Sequence, residues 1–229
     1  MHRWFESPPG RYLLAWEQAR IDEAVADMFG YHSLQVGMPL LDGLRANRMP
    51  HRWRALDAWP EPGSDESPAP DLLAHAAALP FPDNSLDLVL LPHALELSQD
   101  PHTALREVAR VLRPRGLLYV SEPVYAGPLN EVIRLFNDEG VVRAAAQAAL
   151  DAALASGAWE AMAERRFEVP VHFADFADFE VRMMRPTYAD HHLDEAKVRT
   201  VQAAFLPHCG ADGAHFTRPM HVRLLRKTH

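Results

Sequence analysis

His93 closes the apolar run Leu86-Asp87-Leu88-Val89-Leu90-Leu91-Pro92 and is the candidate in this chain for acid–base chemistry. An imidazole titrates near neutral pH, so at the end of a strand it could serve as a general base toward a substrate hydroxyl or acid. The competing reading is a hydrogen-bonded structural histidine. Arg134, with Tyr125 and Asn130 a few residues before it, is of a residue type that would suit a carboxylate; the competing reading there is a plain capped helix start. Gly37, at the end of the strand candidate His32–Val36, lets the backbone pass close to a ligand. His191, His192, His208 and His215 fit no standard zinc spacing, so no metal is expected. Cys209 stands alone, without a nucleophile signature around it.

The elements that must position these residues follow from periodicity. Gly10 to Phe29 reads as an amphipathic helix with Gly30 as its stop. Strand candidates are His32–Val36, Trp53–Leu56, Leu72–His75 and, most clearly, Leu86–Leu91, which is apolar throughout apart from Asp87. Such a run suits a strand covered on both faces. Leu40 to Arg48 reads as a short helix. Trp59 to Pro70, rich in Pro, Gly, Ser and acid, is a surface loop. Asp100 caps a helix whose first residue is Pro101 and whose apolar stripe is Leu105, Val108, Val111 and Leu112. Arg113-Pro114-Arg115-Gly116 ends it, and Leu117–Val120 is the next strand. Strand, helix and strand at this length form a right-handed crossover between parallel strands. Asn130 to Trp159 is helical, and Phe167–Phe173 and His215–Arg226 are late strands. In the last of these, Met220, Val222 and Leu224 alternate with His221, Arg223 and Leu225, as in a strand that is less fully buried.

The chain has 229 residues and a formal charge of -8. It is long enough for one domain, 1–229, and its acidity speaks against a nucleic-acid partner. The start, Met1 to Pro9, lacks the apolar core of a secretory leader. No window approaches the ~18 apolar residues of a membrane span. A single cysteine suits a reducing compartment, so a cytoplasmic protein is expected. The oligomeric state is open.

Two segments carry a resemblance. They are Ala76-Ala77-Ala78-Leu79-Pro80-Phe81-Pro82-Asp83-Asn84-Ser85-Leu86-Asp87-Leu88-Val89 and the stretch from Asp100-Pro101-His102 through Arg106-Glu107-Val108-Ala109-Arg110-Val111-Leu112-Arg113-Pro114 to Val120. In this order and separation they resemble the type 11 group of class I S-adenosylmethionine-dependent methyltransferases. The opening helix followed by Phe29-Gly30-Tyr31-His32 resembles an uncharacterised bacterial branch of that group.

The resemblance implies an α/β fold: a Rossmann-like, mainly parallel seven-stranded sheet with helices on both faces. It also implies an N-terminal helix over 1–30 and a helical cover over 122–165 after the fifth strand. S-adenosylmethionine would lie across the carboxyl ends of the early strands, the usual ligand crevice of open α/β sheets. Gln35, Gly37 and Met38 would meet its amino-acid end. Asp57, with Glu61 behind it, would meet the ribose, and His75, Ala76 and Leu79 the adenine. Pro92 and His93 would sit near the methyl group. Tyr125, Asn130 and Arg134 would line the pocket of a small-molecule acceptor.

Three positions depart from the family pattern. Gln35 replaces an acid, Pro39 replaces the second glycine of the turn, and His75 replaces an acid near the adenine. They motivate an alternative, a non-catalytic binding or interaction protein on the same fold. A nicotinamide-dependent reductase would want G-x-G-x-x-G after the first strand, which is absent.

Overall fold

A computed structural model describes residues 8–59, 69–185 and 192–229. Helix α1 (Pro8–Val25) leads into strand β1 (His32–Val36), followed by β2 (His51–Leu56), β3 (Leu72–Leu73) and β4 (Leu86–Pro92). Helix α2 (Pro101–Val111), β5 (Leu112–Pro123), α3 (Gly127–Ile133), α4 (Gly140–Ala155) and β6 (Trp159–Phe173) come next. A short α5 (Phe176–Phe179) runs into a π-helical turn (Glu180–Met184). Helix α6 (Glu195–Phe205), a 3-10 turn (Leu206–His208), β7 (Cys209–Gly210) and β8 (Gly213–Lys227) complete the chain.

The strands form one sheet in the order β3-β2-β1-β4-β5-β8-β6, with β7 paired to β8. β1 to β5 are parallel, and β8 runs antiparallel to β5 and β6. The expected seven-stranded order is present with one short strand added. β4 lies at the centre with all seven residues buried, as its composition predicts. Asp87, the polar residue in that run, faces the amino end of β1. Its Oδ2 accepts from the N–H groups of Tyr31 (2.6 Å) and His32 (2.8 Å), and its Oδ1 lies 2.6 Å from Arg113 Nε. Gly30 is needed beside it, because a Cβ there would come within 2.5 Å of the Asp87 side chain.

One sheet face is covered by α2 and α4, with Ala104, Leu105, Val108, Ala149 and Leu150 packed on Val89, Leu91, Leu118 and Val120. The other is covered by α1 and the segment 38–49, with Leu13, Ile21, Met38, Leu41 and Leu44 on Leu88, Leu90 and Tyr119. β6 and β8 continue past the end of β5, where Met220 pairs with Pro123, and their far halves pair from Glu168–Pro219 to Phe173–Ala214. A separate aromatic core forms there from Phe173, Phe179, Phe205 and Phe216 with Leu129 and Val132 of α3.

Several local expectations are corrected. Leu40 to Arg48 forms successive turns, not a helix. The helical region after β5 is two helices broken at 134–139, and β6 begins at Trp159, inside the 122–165 cover. Of these two helices, α3 joins the aromatic core beyond the strand ends, whereas α4 covers a sheet face. β8 is buried at both alternating sets, from Met220 to Arg223. α4 supplies polar partners to the second set: Gln147 Oε1 lies 3.1 Å from His221 Nδ1, and Asp151 Oδ1 accepts from Arg223 Nη1 at 2.7 Å.

Candidate functional site

Three local structures stand around the parallel strands: one lies along α2 toward the amino end of β4, where the N–H groups of Asn84 and Ser85 bond the Arg110 and Val111 carbonyls, and two lie at the carboxyl ends of the parallel strands. The first is the turn at Leu79-Pro80-Phe81. Leu79 N–H donates to Glu107 Oε1 (2.8 Å), while Arg110 donates to the carbonyls of Leu79 and Phe81 (3.0 Å each) and to Asp83 Oδ1 (2.6 Å). Glu107 and Arg110 also bind each other, at 2.7 and 2.9 Å. The Arg110 guanidinium holds the Glu107 carboxyl below its usual range. The most recognisable residues of the two signature segments are therefore a clamp between α2 and this turn.

The second is the turn after β1. Gln35, 1% exposed, donates from Nε2 to the carbonyls of Leu41 (2.8 Å), Gly37 (3.1 Å) and Met38 (3.3 Å), and its Oε1 accepts from Gly43 N–H (2.8 Å). Gly37 and Met38 both have positive φ, 81° and 49°, so a left-handed turn leaves the strand. Gly43 must lack a side chain, since a Cβ would lie 2.9 Å from Gln35 Oε1 and from Leu90 Cδ1. Gln18 of α1 closes the turn from outside, bonded to Asp42 N–H (3.1 Å) and carbonyl (2.8 Å). These bonds, local in sequence, outcompete the helix that the apolar spacing suggested.

The third is a buried ionic cluster above β4 and β5. His93, 2% exposed with φ 54°, places Nε2 2.8 Å from Glu17 Oε1 of α1 and Nδ1 3.1 Å from Glu96 Oε1. Burial opposes charge on the ring, but the Glu17 and Glu96 carboxylates outweigh it and raise the pKa to about 10. Arg143 of α4 donates to Glu96 Oε2 (3.2 Å) and Asn130 Oδ1 (2.8 Å) and also pairs with Glu139. Glu122, at the end of β5, accepts from the N–H groups of Leu95 (2.7 Å) and Glu96 (3.2 Å). Burial and the neighbouring Glu96 push its carboxyl up to about 8.

The expected site residues divide between these structures. Gln35, Gly37 and Met38 form the second turn, with the side chain of Gln35 wholly engaged within it. Asp57 is exposed just beyond β2, and His75 is exposed beyond β3, in a bridge to Ala78. Ala76 and Leu79 are buried in the core, and Pro92 is the last residue of β4. His93 holds both ring nitrogens against carboxylates, so as placed it is a cation and has no lone pair for a base. Asn130 is buried and braces α3, donating to the Val124 carbonyl at 3.3 Å. Tyr125 donates to Asp138 Oδ1 (2.8 Å), and exposed Arg134 pairs with Glu131 (3.0 Å). Of these twelve, eight lie at or just past the carboxyl ends of strands, Leu79 is held along α2 by Glu107 and Arg110, and Asn130, Tyr125 and Arg134 are tied to local partners. Glu61, and His191 of the histidine pair, lie outside the described residues. Among the described residues no His, Cys, Asp or Glu group is placed to hold a metal ion, and no helix is long and apolar enough to cross a membrane. A cavity of about 160 Å³ on β2, lined by Arg45, Arg52, Arg54, Asp42, Leu44 and Asp71, contains none of these residues.

Glu17, Glu96, Glu122 and Arg143 were not expected. A signal existed for two of them. Glu17 falls four residues from both Leu13 and Ile21, inside the apolar stripe of α1, and Glu122 ends a buried strand.

Tested against this edge, the adenosine end of S-adenosylmethionine meets an exposed acid after β2 and His75 with Ala76 just past β3. Gly37 leaves room for a close backbone approach, since a Cβ there would stay 3.6 Å from Ala94 Cβ and 3.8 Å from the Pro92 carbonyl. At the amino-acid end the position of the usual acid holds Gln35, which faces into its own turn.

The sheet order and the clamped turn define a class I methyltransferase fold. Residues 45–120 match the methyltransferase domain family, in a span that begins past the β1 turn. The ubiquinone/menaquinone biosynthesis C-methyltransferase UbiE of Hahella chejuensis is 48% identical over 60 residues, 26% of this chain and 23% of that protein. Its counterpart in Shewanella oneidensis is 43% identical over 65 residues, 28% and 25% respectively. The chain thus aligns with about a quarter of these relatives' length. Among solved structures, the YcgJ protein of Bacillus subtilis superposes with a TM-score of 0.61 at 15% identity, covering 93% of this chain and 98% of that one. The [4+2]-cyclase SpnF superposes with a TM-score of 0.51 at 19% identity, covering 92% and 79%. The chain thus has the fold of the class I S-adenosylmethionine-dependent methyltransferases, and residues 45–120 are similar to their methyltransferase domain.

Proposed function

We propose that the chain binds S-adenosylmethionine at the carboxyl ends of β1 to β4 and transfers its methyl group to a small molecule. The observation that carries this is the juxtaposition, at the carboxyl ends of the strands, of exposed Asp57 after β2, His75 and Ala76 after β3 and the open approach at Gly37 beside Pro92. The donor, when bound, supplies an electrophilic methyl on a sulfonium. The chain's own part is alignment and exclusion of water, which suffice for a direct displacement. Asp57 is suited to accept hydrogen bonds from the two ribose hydroxyls. His75, exposed just past β3, is suited to flank the base. His93 fixes the end of β4 as a cation between Glu17 and Glu96, a positioning role in place of a basic one. The aromatic core beyond the strand ends, with α3, forms the far side of an acceptor approach past Tyr125.

Calorimetry of the purified chain with S-adenosylmethionine and S-adenosylhomocysteine tests this. Micromolar binding of either is expected, and the absence of binding near millimolar concentration would overturn the reading. One observation favours a second reading, a non-catalytic binding protein: the only glutamine at the usual acid position is engaged within its own turn. Donor binding without methyl transfer to any offered acceptor would support it.

A further inference from the structure

Glu17 lies in the buried stripe of α1, between Leu13 and Ile21, and is 3% exposed. Its Oε1 lies against His93 Nε2 at 2.8 Å. Its Oε2 is also buried, yet accepts no hydrogen bond from the described residues. A buried carboxylate oxygen without a donor is costly, and folded proteins rarely keep one that nothing completes. The Glu96 carboxylate, by contrast, is bonded to both His93 and Arg143.

The location matters. His93 directly follows Pro92, and the segment Pro92–Ala94 faces Gly37 across the gap between β1 and β4. Glu17 reaches this segment through His93, the residue after Pro92. Gln35, on the other side of the gap, donates and accepts only within the turn and carries no charge. The gap therefore has a carboxylate on the α1 side, attracted by His93 and by Arg218 but with Oε2 accepting no hydrogen bond among the described residues, and no charge on the β1 side.

We infer that Glu17, delivered by α1, takes the place of the missing strand-end acid and pairs through Oε2 with the α-ammonium group of the methyl donor. This rests on the proposed donor binding. It gives α1 a direct part in the site: the helix that roofs one sheet face also brings the anion that recognises the ligand's cationic end. Both ends of the recognition would then be carboxylates, Asp57 for the ribose and Glu17 for the ammonium, on opposite sides of Gly37.

The test is calorimetry on the full chain with three probes: S-adenosylhomocysteine, its deaminated analogue and 5′-methylthioadenosine. The wild type should prefer S-adenosylhomocysteine over the deaminated compound. Glu17→Gln should weaken S-adenosylhomocysteine ~10- to 100-fold, the range of a charge-assisted bond, and leave 5′-methylthioadenosine unchanged. Equal weakening of all three would overturn the inference, since Glu17 would then only dock α1. Unchanged S-adenosylhomocysteine affinity would overturn it as well. If Glu17→Gln fails to fold, Glu17→Asp keeps the charge but withdraws it by one methylene, and the same selective loss is required. The wild-type preference needs no variant, and its absence alone sinks the inference. Failure of the wild type to bind any adenosyl compound would instead overturn the donor reading beneath it.

Discussion

The turn at Leu79–Phe81, set along α2 toward the amino end of β4, and the turn after β1, at the carboxyl edge of the sheet, are held in opposite ways. At Leu79–Phe81 the bracing comes from outside, from Glu107 and Arg110 on α2, and the turn's rim stays exposed. At Gly37–Gly43 the bracing comes from within, from the strand's own Gln35, and α1 covers the turn. An externally clamped turn keeps its ligand-facing groups available. An internally bonded one has committed them. The signature that resembles the family in this sequence is thus scaffolding around the open turn, while the turn proposed to meet the donor's charged end bonds within itself.

The closed side should be the more fragile. His93→Ala removes the cation between Glu17 and Glu96 and leaves two buried carboxylates, one of them still answered by Arg143. A loss of about 3–5 kcal/mol in unfolding free energy is expected, the usual cost of breaking a buried pair by removing one partner. The raised pKa fixes the pH dependence. Folding favours protonated His93, so its contribution is fully present below about pH 6.5 and fades as pH rises through about 10. Denaturant melts of wild type and variant should therefore converge in alkali. A constant difference from pH 6 to 10 would show that His93 matters by packing alone.

Gln35→Glu addresses the difference between the turns most directly. By sequence it restores the family's acid and should favour the donor. In the structure it sets an oxygen against the carbonyls of Gly37, Met38 and Leu41 where an amide now donates. The turn should lose about 2 kcal/mol, because buried acceptors are left without a donor. Chemical denaturation measures the loss, and an equally stable variant would mean that the turn rearranges to free the acid.

How much of this edge was legible follows from the distance between partners. β4, α2 and β5 could be read because their signals are periodic and local, and the cap at Asp100 is contained within four residues. The departures at Gln35 and Pro39 were visible as missing chemistry. What Gln35 does instead was not, since a glutamine's partners are backbone groups that leave no pattern in sequence. The ionic cluster was illegible for another reason. His93 finds Glu17 across 76 residues and Arg143 finds Glu96 across 47, pairings that exist only once α1 and α4 dock on opposite faces of the sheet. The alternation in β8 misled because polar residues on α4 satisfy His221 and Arg223 inside the fold.

The open side should respond least and most locally. Glu107→Ala removes the acceptor of Leu79 N–H and one partner of Arg110, which keeps Asp83 and two carbonyls. Glu107 is half-buried and Arg110 partly exposed, so solvent screens much of their attraction and about 1 kcal/mol is expected. The amide of Leu79 should exchange hydrogen distinctly faster, while the amides of Gly37 and Gly43 stay protected. If those exchanged faster too, the two turns would be one cooperative unit, and the contrast between a clamped turn and a self-bonded one would not hold.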